Sequence, residues 1–146
     1  MNRQLQALAQ KLAPIILPIL LKLFTDSSTR TPTYTGGTTA GTTTYTFQSA
    51  AWIRIGKLVI DIGQINWSAA TGTGEARISL AFAPAGYNVA GSAWISAVTF
   101  ANSTPILAAN AGNAYATLDS PLTNAANTRV QIEAAGIIIW VIAYFV

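Results

Sequence analysis

The sequence predicts an all-β protein: an antiparallel, jelly-roll-like β-sandwich preceded by an apolar amino-terminal helix and a linker rich in threonine and glycine. Three observations predict it. Short runs alternate apolar with polar or small residues, the period of a half-buried strand. Turn-forming residues separate these runs at Pro84-Ala85-Gly86, Asn102-Ser103, Ala111-Gly112-Asn113 and Ser120-Pro121. Charged residues make up only 9% of the 146 residues, against about 25% in an ordinary soluble domain. So few charges cannot cover a soluble monomer, which favours burial against other subunits, a membrane or a larger assembly.

Residues 1–24 form the first zone. Leu5, Leu8, Leu12, Ile15, Ile16, Ile19, Leu20 and Leu23 recur at helical spacing, and every residue from Leu12 to Leu21 is apolar. The run from Leu12 to Phe24 reaches only ~20 Å as a helix, short of the ~30 Å hydrocarbon core of a bilayer. Pro14 and Pro18 each remove an amide donor and are expected to kink or interrupt it. A basic start before an apolar run also fits a secretory signal, but Leu-Lys-Leu-Phe-Thr-Asp-Ser follows in place of small residues. The expectation is an uncleaved amphipathic anchor, with Leu12, Ile15, Ile16, Ile19, Leu20 and Leu23 seating it in a particle or a membrane. Packing against symmetry mates is the competing reading of the same helix. All the excess positive charge lies within residues 1–30, so the neutral body is not expected to bind nucleic acid.

Residues 25–44 read as a spacer. Ten of them are threonine, and large apolar side chains that could offset the entropy of ordering are scarce.

Residues 45–146 form the expected sandwich knob. Ile53 and Ile55 precede Gly56-Lys57, where a two-residue turn opens a hairpin, and Leu58, Ile60 and Ile62 then share a face. The pattern flips near Gly63 so that Ile65 and Trp67 point to the core, which predicts a bulge there. Ser68–Gly74 is a glycine-rich loop, after which Ile78, Leu80 and Phe82 alternate with Arg77, Ser79 and Ala81. Trp94, Ser96, Val98 and Phe100 give another alternation, as do Val130 and Ile132. The last ten residues, IIIWVIAYFV, are apolar on both faces and too short for a transmembrane helix. A strand of this kind is buried on both sides, either centrally in the domain or at a subunit interface. We therefore expect Ile138, Trp140, Ile142 and Tyr144 at an oligomer interface.

The chemistry of the side chains argues against catalysis. With no histidine and no cysteine, the commonest general base, the thiolate nucleophile and the usual soft metal ligands are missing. The body has four carboxylates, Asp61, Glu75, Asp119 and Glu133, and Glu75 and Glu133 fall at outward positions where solvated charge or an ion pair is the plain reading. The glycines of residues 71–74 lack the lysine and helix of a phosphate loop. No enzyme activity, cofactor or metal is expected. Tyr87, Asn88, Asn102 and Tyr115, all in loop-like context, are the residues most suited to contact a receptor.

The segment from Trp52 to Phe82 also carries a pattern. Trp52, Arg54, Ile55, Gly56, Leu58 and Val59 are followed by Gly63, Ile65 and Trp67, then by Thr71, Gly72, Gly74, Arg77, Ile78, Leu80 and Phe82. It resembles a module of bacteriophage tail-fibre and virion-spike proteins, over about a third of the chain. Ala81 departs from it where proline is expected, and the chain has no long fibrous shaft, which points to a short spike. The resemblance implies a distal knob that trimerises and binds a host surface glycan or protein. The expectation is a virion structural protein, with a structural capsid or tail component lacking receptor binding, or a membrane-active anchor protein, as alternatives.

Overall fold

A computed structural model describes residues 10–16, 18, 26–100, 105–121 and 128–146. Residues 10–16, which include Pro14, are helical (α1), and Leu12, Ile15 and Ile16 on it are exposed. Ile19, Leu20 and Leu23 lie outside the described residues. Among the described residues no helix is long and apolar enough to cross a membrane.

The body is all-β and antiparallel. Its strands are β1 (Asp26–Arg30), β2 (Tyr34–Gly36), β3 (Thr43–Ile55), β4 (Leu58–Ala70), β5 (Ala76–Ser79), β6 (Val89–Ser96), β7 (Ile106–Ala109), β8 (Tyr115–Ser120), β9 (Thr128–Arg129) and β10 (Gly136–Phe145). They follow one hydrogen-bonded path, β1-β3-β4-β10-β6-β7-β8-β5-β2, with β9 paired to β8. β6 belongs to both halves of this path: residues 92–96 pair with β10 and residues 89–91 with β7. Gly91 sits at that junction, where a Cβ would lie 2.6 Å from the Val141 carbonyl oxygen and 2.7 Å from the Ile142 Cβ. Only glycine allows the strand to turn so close to β10. The sheet curls around one core, and its two end strands, β1 and β2, are joined by Thr31-Pro32-Thr33. Ser79 stitches those ends together: its amide donates to the Thr33 carbonyl at 3.0 Å, and its hydroxyl accepts from Thr33 N at 2.8 Å and Arg30 Nη1 at 3.3 Å.

The expected hairpin is present. β3 and β4 pair along their length around Gly56-Lys57, with Gly56 at φ +60°. Three expectations need correction. The segment 25–44 is not a spacer from residue 26 on, because β1 and β2 are strands of the sheet and Tyr34 is fully buried, stacked on Trp67 at 4.2 Å. Its threonines supply little apolar area, but neighbouring strands supply the hydrogen bonds and the core. Secondly, the inward pattern of β4 does not flip at Gly63. Val59, Asp61, Ile65 and Trp67 are buried in unbroken alternation, and Ile62 faces outward. The irregularity lies across the ladder in β3, where the register shifts between Thr44 and Phe47. Gly63 serves close packing instead: a Cβ there would sit 2.4 Å from the Trp140 ring.

The third correction concerns β10. Ile138, Trp140, Ile142 and Tyr144 are between 0% and 3% exposed, packed into the subunit's own core. They are not an oligomer interface. The opposite parity of the same strand, Ile139, Val141 and Phe145, is exposed.

Candidate functional site: an uncharged outer sheet face

The pairing register puts a specific set of residues side by side on the outside of β1, β3, β4, β10 and β6. Ile53 faces Ile60, which faces Ala143. Ala51 faces Ile62, which faces Val141 and then Ser92. Gln64 faces Ile139, which faces Trp94, and Ile55 faces Leu58 and then Phe145. Ser27, Thr29 and Ser49 complete the surface, so among the described residues these strands turn no charged side chain outward. Phe47, Ile53, Ile55, Ile62, Trp94, Ile139, Val141 and Phe145 are each between 41% and 57% exposed. Together they leave roughly 800 Å² of apolar surface open to water, above the ~300–600 Å² of the largest patch on a typical monomer. A shallow depression between Phe47, Ile62 and Ile139 indents its middle.

The outside of the other half is different in kind. Glu75 accepts from Arg77 Nε and Nη2 at 3.0 and 2.8 Å and also pairs with Arg129, whose Nε lies 4.0 Å from Asp119. Burial alone would raise the Glu75 carboxyl, but hydrogen bonds and charges from Arg129 and Arg77 outweigh it and hold the group below 4.5. One face of the molecule is built for water and the other is not.

Beneath the apolar face lies the group that fixes it. Asp61 is fully buried. Its carboxylate accepts from Arg30 Nη2 at 2.8 and 2.9 Å and from Arg30 Nε at 3.2 Å. It also accepts from Ala81 N at 2.9 Å and Trp140 Nε1 at 3.1 Å. One carboxylate therefore ties β1, β4, β10 and the segment after β5 together. A buried charge is tolerable only with such paired and hydrogen-bonded partners.

The residues expected to contact a receptor are partly brought together. Tyr87 is 77% exposed on a loop held by Ala85 N donating to the Phe145 carbonyl at 2.7 Å and Gly112 N donating to the Pro84 carbonyl at 2.8 Å. Asn88 Oδ1 accepts from Ala111 N at 3.2 Å. Tyr115 lies at the foot of this loop pair, with the Arg77 guanidinium 4.3 Å from its ring centre. Asn102 lies outside the described residues. Tyr87 and Asn88 occupy the same end of the body as the Gly56-Lys57 turn and the start of β1, because Phe145 pairs with Leu58 and Asp26 with Arg54. That is the end at which residues 1–25 join the body.

Two buried phenols give the core a pH signature. Burial pushes both Tyr34 and Tyr144 up to about 12 from 10.0. A raised folded value means that the protonated phenol's stability is fully present below pH 10 and is lost as pH rises toward 12. Denaturant midpoints should hold up to about pH 10 and then fall, as the unfolding free energy loses up to about 2–3 kcal/mol per tyrosine between pH 10 and 12. A midpoint unchanged to pH 12 would contradict this burial.

No protein family model matches the chain, and no curated protein and no solved structure is significantly similar to it.

Proposed function

We propose that the chain is a virion structural protein, a short spike or fibre knob that forms a homotrimer for host attachment. The curled sheet is read as a jelly-roll-like sandwich, with the amino-terminal segment as its anchor to other virion proteins or a membrane. The observation that carries this reading is the uncharged outer face of β1, β3, β4, β10 and β6, opposite a face rich in ion pairs. Roughly 800 Å² of apolar surface per copy matches the ~800 Å² per partner of a standard stable interface. A second copy of the chain is the occupant that fits, since self-association also accounts for a body with so few charges. The exposed Leu12, Ile15 and Ile16 on α1 support the anchor. Without a receptor role, the same face would serve a purely structural capsid or tail component.

The chain has no cysteine, so a single one can report on this face. Ser49→Cys places a thiol between the exposed Phe47 and Ala51, and Asn110→Cys places one on an exposed loop. In the native protein the first should react with maleimide at least tenfold more slowly than the second, and equally fast in denaturant. Equal native rates would overturn assembly through this face.

A further inference from the structure

The apolar face does not explain a groove at the end of the body opposite the one where residues 1–25 join. The groove encloses about 310 Å³ between the segment after β6 and the strap from β9 to β10, lined by Thr99, Phe100, Thr128, Arg129, Gln131 and Glu133. That volume is at the lower limit of small-ligand sites. Its position is fixed by register: β6 runs away from Val89, beside the Tyr87 loop, to Ser96, and β10 starts at Gly136 opposite Trp67. The groove therefore points away from the end where residues 1–25 join.

We infer that this groove binds one neutral pyranose unit of a host surface glycan, which rests on the attachment reading above. Three observations carry the inference. Phe100 is 37% exposed and offers a ring on which the apolar face of a sugar can stack. The Glu133 carboxylate has no ion-pair partner among the described residues, while its backbone is held on both sides. Its amide donates to the Tyr34 hydroxyl at 3.1 Å and its carbonyl accepts from Trp67 Nε1 at 2.9 Å. With its main chain already held, the residue can turn its carboxylate onto two neighbouring hydroxyls of one sugar without ordering a loop first. Lastly, the wall bearing Thr99 and Phe100 opens at Ala97, whose φ of +57° is a left-handed conformation that alanine rarely adopts. Conformations of this kind cluster at ligand clamps.

The choice of a neutral sugar follows from charge. Arg129 is already engaged by Glu75 and Asp119, so the unpaired charge in the groove is negative and disfavours an acidic sugar. A single weak site becomes effective when symmetry repeats it.

Saturation-transfer NMR on the full chain with free D-galactose, D-glucose and D-mannose tests the inference. We expect transfer to the ring protons of at least one sugar. Phe100→Ala and Glu133→Gln should each weaken it at least tenfold, and Lys57→Ala, in the exposed turn at the other end of the body, should leave it unchanged. Circular dichroism of each variant checks that the fold persists. No transfer to any of the three sugars, or transfer unaffected by both groove variants, overturns the site. A trimeric chain that binds no sugar would remove the groove but leave the assembly; a sugar-binding monomer would do the reverse.

Discussion

Asp61→Ala is expected to lower the unfolding free energy by about 3–5 kcal/mol, the cost of breaking a buried ion pair from one side. The substitution strands Arg30, whose side chain is only 14% exposed, and removes the acceptor for the buried Trp140 indole and the Ala81 amide. Each orphaned donor adds its own desolvation cost, about 1–3 kcal/mol where burial is complete. The damage is not local. Arg30 ends β1, and with it goes the stitching between Arg30 and Ser79 that joins the two ends of the sheet. Asp61→Ala combined with Arg30→Met should cost less than the sum of the two single changes, because it removes both charges at once. Urea unfolding of the four proteins checks this. Additive single effects, or an Asp61→Ala protein with the native midpoint, would contradict the central role given to this carboxylate.

The second large effect concerns assembly. Ile62 and Val141 face each other across β4 and β10 in the middle of the apolar face. Ile62→Lys with Val141→Glu puts an opposite-charge pair there, a cross-strand arrangement that an exposed sheet face tolerates well. In an isolated subunit both side chains stay in water, so the fold should persist with nearly the native circular dichroism. In an assembled face both charges must be desolvated, at several kcal/mol per ion before any pairing. The double variant should therefore associate at least a hundredfold more weakly than the native chain and be more soluble. If it assembles as the native protein does, the contact lies elsewhere.

Parts of this fold were legible in the residues. The Gly56-Lys57 hairpin followed from a glycine between two apolar runs, and Ile78 and Leu80 are buried as their alternation implies. The faces of β3, β4 and β10 were not, for a physical reason. From Ile53 to Ile62 the cleaner apolar alternation is the outward one, because Arg54 and Asp61 lie on the core-facing parity, and in β10 both parities are apolar, so periodicity cannot tell the core side from an apolar outer side. The telling residue was Asp61, a charge in step with Val59, Ile65 and Trp67; its partner Arg30 lies 31 positions earlier and only the folded chain brings them together. The register shift near Tyr45 carries no glycine or proline to announce it. Residues 26–44 looked like a spacer because threonine contributes little apolar area, though its β-branched side chain suits the strands that neighbours order. Glu133 and Phe100 became a candidate site only when the strap from β9 to β10 met the end of β6.

The most direct test of the account is the solution mass of the native chain, measured by light scattering on a sizing column beside the Ile62→Lys/Val141→Glu variant. The account predicts a native species of three times 15.3 kDa and a variant at 15.3 kDa. A native chain that elutes as a folded monomer at micromolar concentration would contradict it, because the uncharged face would then stand open to water with nothing to cover it.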